Sequence, residues 1–509
     1  MAQSSIKKNY IFSLINKLFA VLVPILVTPY LARVLEPDGN GVISFVGSIS
    51  SYFILVANLG IETYGQRVIA IHRDDKAYLK KFFIEISILR ILLTVICLVI
   101  YYISFISSLN TENNLLYAVF ALSVFAVIFD FSWFFQGVED FRLLALANIF
   151  TRILYVVLVF VLVKTKANLT VSALLSVGNT ILPFFLCLPF LCRYMKGKIA
   201  GKINPFSHLK ECMVYFIPTV AVQIYTVLDK TMIGLITGSD AQNGYYEQAE
   251  KLIKLPLTLI TTLFIIMRSR ISYYYSLEQY DKIQDLIKKS ANVAFGFSFP
   301  IMLGVIAVAP TLVPVYLGEG YDECVLLLYI FSPLIPIISL SNLIGTHYYT
   351  PFNKQKISNI FLIAGAVLNV ALNAFLIYLL QSVGATIASV CAEFCITVLY
   401  VVFARKFIDP KIFVKIGYKY LIASAIMFVP VFLMEYFLPK TLWYLLAEVG
   451  VGIVVYFVML LILRVEFVYT YLRIYGDKIL NKLKRKKQPV NEETTPAISV
   501  EEEREDKSE

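Results

Sequence analysis

Apolar residues come in fourteen stretches between Ile11 and Leu463, with almost nothing separating them. About twenty consecutive apolar residues in helical form cross the hydrocarbon layer, where only helices and closed barrels satisfy their own backbone. The runs are near-continuous rather than alternating, which excludes a barrel. The pattern predicts an all-α polytopic membrane protein. Its crossings fall at 11–35, 41–62, 82–107, 114–136, 142–164, 169–192, 211–237, 247–267, 290–317, 324–346, 357–380, 384–404, 416–437 and 441–463, numbered here as spans 1 to 14.

Composition agrees, with 59% apolar and 16% charged residues and a mean hydropathy of +0.75. The net charge of +10 raises the question of nucleic acid, but the cations are spread among interhelical loops and form no patch. Their distribution is informative in another way. One set of alternate loops, together with the stretch 465–487, carries 32 Lys and Arg; the opposite set carries only Arg33, Lys164, Lys166 and Lys440. The positive-inside rule then places both termini in the cytoplasm, which requires an even number of spans. Lys7 and Lys8 precede an apolar run as in a signal peptide, yet Lys17 interrupts that run and no small-x-small site follows, so it reads as an uncleaved span 1. The seven cysteines lie in or beside spans without paired spacings, which suits packing rather than disulfides or metal.

A weak internal repeat divides the chain. Asn40-Gly41 recurs as Asn243-Gly244 and Asn148-Ile149-Phe150 as Asn359-Ile360-Phe361, offsets of 203 and 211 that equate spans 1–6 with 7–12. Six being even, the halves share one orientation, a parallel repeat around a central cavity. The expected organisation is a six-helix lobe at 1–195, a cytoplasmic linker at 196–210, a second six-helix lobe at 211–405, two added spans at 406–464, and a tail at 465–509. The tail begins basic and amphipathic, as a helix on the anionic inner leaflet would, and ends acidic and disordered.

Charges at membrane depth are expensive and face an interior, a wet cavity or a partner. Asp229 and Lys230 in span 7 lie about 100° apart on a helix, so each addresses a different neighbour. In span 8, Glu247, Lys251 and Lys254 form one face, and Glu250 also reaches Lys254. Lys251 and Lys254 sit on the outer side, where lysines are otherwise scarce, which suits a cavity facing an anion; a solvated helix end is the alternative. Lys17 and Arg33 mark the inner and outer parts of span 1. Arg90, Asp130 and Arg152 lie inside apolar runs, where Arg90 can snorkel and Arg152 can pair with Asp130. Cations exceed acids in the first half, which suits an anionic head group better than a cationic drug. Pro24, Pro29 and Pro218 break equivalent spans 1 and 7, as alternating access requires. Asn369 and Asn373 in span 11 suit interhelical packing. No P-loop, HExxH or GxSxG occurs, and His72, His208 and His347 all fall in or near cytoplasmic loops, so nothing indicates an enzyme or a cofactor.

Several blocks together carry a resemblance. SLINKLFAVLVPILVTPYLARVLEPDGNGVISFVGSISSYFILVANLGIETYGQR, FSWFFQGVEDFRLLALANIFTRI, YFIPTVAVQIYTVLDKTMIGL, GYYEQAEKL, SNLIGTHYYTPFNKQK and GATIASVCAEF resemble the polysaccharide-biosynthesis (Wzx-type) flippases of the multidrug/oligosaccharidyl-lipid/polysaccharide exporter superfamily. The likeness spans about residues 8–460. It implies two six-helix lobes plus two helices, set in a bacterial inner or plasma membrane. It also implies transfer of an undecaprenyl-diphosphate-linked oligosaccharide to the outer leaflet for O-antigen, capsule or exopolysaccharide, with membrane lipids, the polysaccharide polymerase and the chain-length machinery as partners. Arg33, Asp130, Asp229, Lys230, Glu247 and Lys251 fall on polar positions of those blocks. The expected substrate contacts are Arg33, Lys230, Lys251, Lys254, Lys17 and Arg152, with Asp229, Asp130 and Glu247 for coupling or charge balance. Met267-Arg268-Ser269-Arg270 and His347-Tyr348 depart from the family pattern at the cytoplasmic side. A multidrug exporter of the same superfamily is the nearest rival. A polysaccharide polymerase would need a large outer loop, and segments such as 318–323 and 381–383 are only a few residues long.

Overall fold

The computed structural model describes residues 6–107, 113–195, 199, 201–470 and 473, and every regular element among them is helical. Eleven helical stretches are long and apolar enough to cross a bilayer. Two of these are folded in half, and Leu209–Thr237 adds another crossing, so the described residues make fourteen crossings. This is a multi-pass membrane protein. Because that number is even, Ile6 and Thr470 lie on one face, called here the near face; the opposite one is the far face.

Helix α1 (Ile6–Asn58) holds spans 1 and 2 and reverses at Glu36, whose backbone sits at φ 59°, ψ 178°. Pro37 follows, and a proline disfavours helical geometry in the residue before it. Asn40 closes the turn by donating to the Leu31 carbonyl at 3.2 Å and the Glu36 carbonyl at 2.9 Å. A short near-face helix that the hydropathy pattern does not separate, α2 (Ile61–Ile71), buries Ile61 and Ile69. Helix α3 (Lys76–Tyr101) is capped by Asp75, which accepts from the Ala77 and Tyr78 amides. Span 4 is broken into α4 (Asn114–Ala126) and α5 (Ser132–Gly137), with Asp130 in extended geometry between them. Helices α6 (Phe141–Leu162) and α7 (Leu169–Tyr194) complete the first half.

The second half begins with α8 (Leu209–Thr237), which ends on Gly238 in left-handed geometry. Helix α9 (Asp240–Ser276) runs well past both ends of span 8, continuing into polar and aromatic flanks that hydropathy does not count as membrane. Helix α10 (Tyr280–Tyr316) is followed by α11 (Glu323–Phe331) and α12 (Leu334–Ile344), which share one crossing bent at Pro333. Helix α13 (Gln355–Ala404) reverses at Gln381 (φ 54°), so tightly that a Cβ on Gly384 would stand 2.1 Å from the Leu376 carbonyl oxygen. Helices α14 (Pro410–Phe437) and α15 (Leu442–Ile462) form a hairpin against α10. Of the expected tail at 465–509, all but 465–470 and 473 lies outside the described residues, as do 196–198 and 200 of the linker.

The outer surface is apolar, with Leu235, Val414 and Trp443 exposed where acyl chains would lie, while Arg90, Asp229, Asn369 and Asn373 are buried. The two halves meet through a reciprocal contact on the far face. A Cβ on Gly41 would fall 1.7 Å from the Asp240 carbonyl oxygen, and one on Gly244 would fall 2.1 Å from the Pro37 carbonyl oxygen. Pro37 and Asp240 are separated by the same interval as Gly41 and Gly244. This reciprocity is what two halves related by a two-fold axis produce. The two Asn-Gly pairs are therefore where backbone meets backbone, and only glycine admits that approach.

Candidate functional site

Below that far-face contact lies a cavity of about 340 Å³ between the halves. The first arm of α1 contributes Val23, Pro24, Val27, Thr28 and Leu31, and Asn40 stands at the turn. Arg152 and Tyr155 come from α6, Ser176 and Asn179 from α7, and Gln248 and Lys251 from α9. A second, apolar pocket of about 380 Å³ between α4, α6 and α7 shares Tyr155 and Asn179 with it.

Beside the cavity, α8 and α9 build an ion lattice. Lys230 pairs with Glu247 and, at 3.0 Å, with Glu250. The same acids reach along α9 to Lys251 at 3.0 Å and Lys254 at 2.5 Å. Ser44, on the second arm of α1, donates to Glu247 at 3.1 Å. Three cations thus face two acids, and the positive excess sits toward the opening: side-chain exposure rises from 17% at Lys230 to 40% at Lys251 and 53% at Lys254. Lys230 and Asp229 do address different neighbours, and that of Lys230 is the pair Glu247 and Glu250. Lys230 is the internal counterion of these two glutamates, and Lys251 lines the cavity.

Asp229 faces the other way. It accepts from Tyr246, from Ser389 at 2.5 Å and from Asn373 at 2.5 Å, inside the second half among α8, α9 and α13. Asn373 also donates to Asn369 at 3.1 Å, so these amides do more than pack: they belong to the cage around the carboxyl group. Among the described residues, the side chains bonded to Asp229 are all neutral.

The first-half charges are arranged differently from the expectation. Arg152 does not pair with Asp130; its guanidinium donates twice to Asn16, to the backbone carbonyl and to Oδ1, each at 2.7 Å. Asp130 instead accepts from the Ser132 amide at 3.0 Å, and its backbone carbonyl is bonded by Arg90. Arg90 does not snorkel. It is 1% exposed, donates also to Asn58 and the Val127 carbonyl, and lies over Trp133. Breaking span 4 frees backbone carbonyls at membrane depth, and Arg90 supplies donors for them, so a buried cation is the logical companion of a broken helix. Lys17 is exposed on the first arm of α1, next to Asn16.

Arg33 reaches the Val315 carbonyl at the end of α10, closing the far face together with two tyrosines. Tyr316 donates to the Ile25 carbonyl at 3.1 Å and Tyr321 to the Ala32 carbonyl at 3.2 Å, while Lys166 bridges Glu36 at 2.8 Å. Arg33 is thus part of a seal and does not line the cavity. His347, close to the near-face turn at 350–354, is fully buried, bonded to Ser290 and Thr346. Among the described residues no cluster suits a metal ion, and the cysteines are unpaired. Sequence reasoning missed Asn179 and Gln248, single neutral amides inside spans 6 and 8, and a near-face lock. There Glu85 accepts from His208 at 3.0 Å and the Asn204 amide at 2.7 Å, and Tyr64 meets His208 at 2.9 Å, which docks the inter-half linker onto α3.

A cavity between two matched helical halves, sealed on one face and rimmed by cations, is the anatomy of an alternating-access transporter. A model of the family described as "Polysaccharide biosynthesis protein" matches residues 6–268, more than half of the chain, which therefore belongs to that family. The chain is 27% identical over 414 residues to a protein of Escherichia coli (strain K12) named "Putative O-antigen transporter", with 79% of this chain and 97% of that protein covered. A Shigella dysenteriae protein of the same name is 25% identical, with 79% and 99% covered. Among solved structures, lipid II flippase MurJ in an inward closed conformation superposes with a TM-score of 0.69 at 16% identity, covering 92% of this chain and 99% of that one. An inward-facing multidrug resistance MATE family transporter of the MOP superfamily gives 0.58 at 14% identity, covering 77% and 94%. At those identities the likeness is one of fold. The family expected from the sequence blocks is borne out, and so is the expected all-α membrane fold.

Proposed function

We propose that this protein is a flippase: it carries a polyprenyl-diphosphate-linked oligosaccharide from the cytoplasmic to the outer leaflet of a bacterial inner membrane for surface polysaccharide assembly. The near face is then cytoplasmic, as the positive-inside count indicates. The observation that carries this reading is the cavity bounded by Arg152 from one half and Lys251 from the other, beneath a sealed far face. A diphosphate is anionic and hydrated, so it needs fixed cations in a polar space, whereas its polyprenyl tail is at home in lipid. Arg152 and Lys251 would contact the anion, with Lys254 and Lys17 attracting it on entry. Lys230, Glu247 and Glu250 hold those lysines in place. Asp229, buried among neutral donors, is the group suited to exchanging a coupling proton as the halves rock; Asp130 serves the fold of span 4. Capsule, O-antigen and exopolysaccharide units would all satisfy this chemistry. A polymerase and chain-length machinery would act after release.

The test is complementation of a flippase-deficient strain with defined glycans, read as surface polymer. Lys251→Ala is expected to reduce export at least about tenfold at unchanged membrane abundance, because it removes a cavity charge and leaves Lys230 on Glu247. Undiminished polymer would remove Lys251 from the transport site. Drug resistance conferred without polymer export would favour the multidrug rival.

A further inference from the structure

Two residues that line the cavity carry buried polar atoms for which the fold supplies no partner. Gln248 Oε1 and Asn179 Oδ1 are both buried and accept no hydrogen bond, and both side chains line the cavity. Gln248 is 1% exposed overall. A buried amide oxygen without a donor is unfavourable, and an apolar side chain of the same size would be better tolerated by the fold alone. The placement is also balanced. Asn179 stands on α7 in the first half with Arg152 on the neighbouring α6, and Gln248 stands on α9 in the second half one turn from Lys251. Each half therefore brings one cationic and one amide residue to the lining of the same space.

Phosphate oxygens are acceptors and satisfy the cations, but they cannot satisfy amide oxygens. The missing donors must be O–H or N–H groups on the same ligand, and in a lipid-linked glycan these belong to the sugar. We propose that Gln248 and Asn179 are the sugar-reading residues of this transporter, their amide oxygens accepting from hydroxyl or acetamido N–H groups of the sugar joined to the diphosphate. The inference rests on the flippase reading and adds to it a division of labour: Arg152 and Lys251 hold the charge, and the two amides sense that a glycan is attached. A carrier stripped of its sugar leaves both oxygens unpaired and is discriminated against, as happens wherever a site is built to bond a hydroxyl that the ligand lacks.

Two probes test this on the full-length protein in lipid nanodiscs: undecaprenyl diphosphate, and undecaprenyl diphosphate bearing one N-acetylhexosamine. The native protein is expected to bind the sugar-bearing carrier about tenfold or more tightly than the bare one. Gln248→Met and Asn179→Leu, which keep side-chain size, are expected to erase that preference without changing the Kd for the bare carrier. Lys251→Ala should weaken both probes alike. The thermal midpoint of Gln248→Met should hold or rise, because an unsatisfied amide has been removed; a fall would mark a structural role and overturn the proposal. So would variants that keep the native preference while both probes still bind, which leaves the flippase reading intact. A native protein that binds neither carrier brings down both.

Discussion

Arg90 shows what a single charge in a hydropathy plot leaves open. In the sequence it is an arginine near the cytoplasmic end of span 3, compatible with snorkelling. In the fold it is wholly buried and bridges α3 to the break in span 4 and to Asn58 of α1. Removing it strands carbonyl oxygens where no water reaches, so Arg90→Met is expected to lower stability by about 3 kcal/mol, measured by unfolding of the purified protein. Arg90→Lys should recover little of this, because one ammonium cannot serve the spread of acceptors that a guanidinium fork spans. The same reasoning separates Lys230 from Lys251. Charges were legible in the sequence because each interrupts an apolar run. Their partners were not, because Glu250, Asn16 and Asn58 come from other helices or other turns. Lys230→Ala leaves Glu247 and Glu250 short of a counterion, so it should lower both export and thermal stability, whereas Lys251→Ala lowers export alone; parallel assays of the two separate lattice from site.

Helices that turn back within a few residues are the second lesson. Hydropathy predicted two spans each within α1 and α13, and the φ-positive residues Glu36 and Gln381 are where each pair joins. The ends of α9 were read too short because hydropathy measures lipid solubility and not helicity, and the helix continues through the polar flanks 240–243 and 268–270. The reciprocal far-face contact joins the α1 turn to the start of α9, and the Asn-Gly repeat that marked it in the sequence is its point of closest approach. A side chain at Gly244 cannot coexist with the Pro37 carbonyl, so Gly244→Ala is expected to open the far face. In a background lacking the native cysteines, Thr28→Cys should then react several-fold faster with a membrane-impermeant maleimide added from the far face. Unchanged labelling would mean that this contact is not the seal.

For the whole molecule, lipid is the solvent, and that fact made the class legible: apolar runs of bilayer length, an even span number and a weak repeat were enough for the architecture. The cavity was less legible. Its volume depends on how far the halves are parted, and its neutral amides look in sequence like any others. The connection between halves passes through a short segment clamped by Glu85 and His208 on the near face, while the far face is held by Arg33, Tyr316, Tyr321 and the glycine contact. On the proposed function, these two sets of contacts form and break in alternation. The most direct measurement is leaflet transfer in proteoliposomes: a fluorescent undecaprenyl-diphosphate oligosaccharide is placed in one leaflet, and its arrival in the other is followed by quenching. The native protein should accelerate transfer and Lys251→Ala should abolish most of the gain. Equal rates in protein-containing and protein-free vesicles, for any glycan offered, would contradict the account.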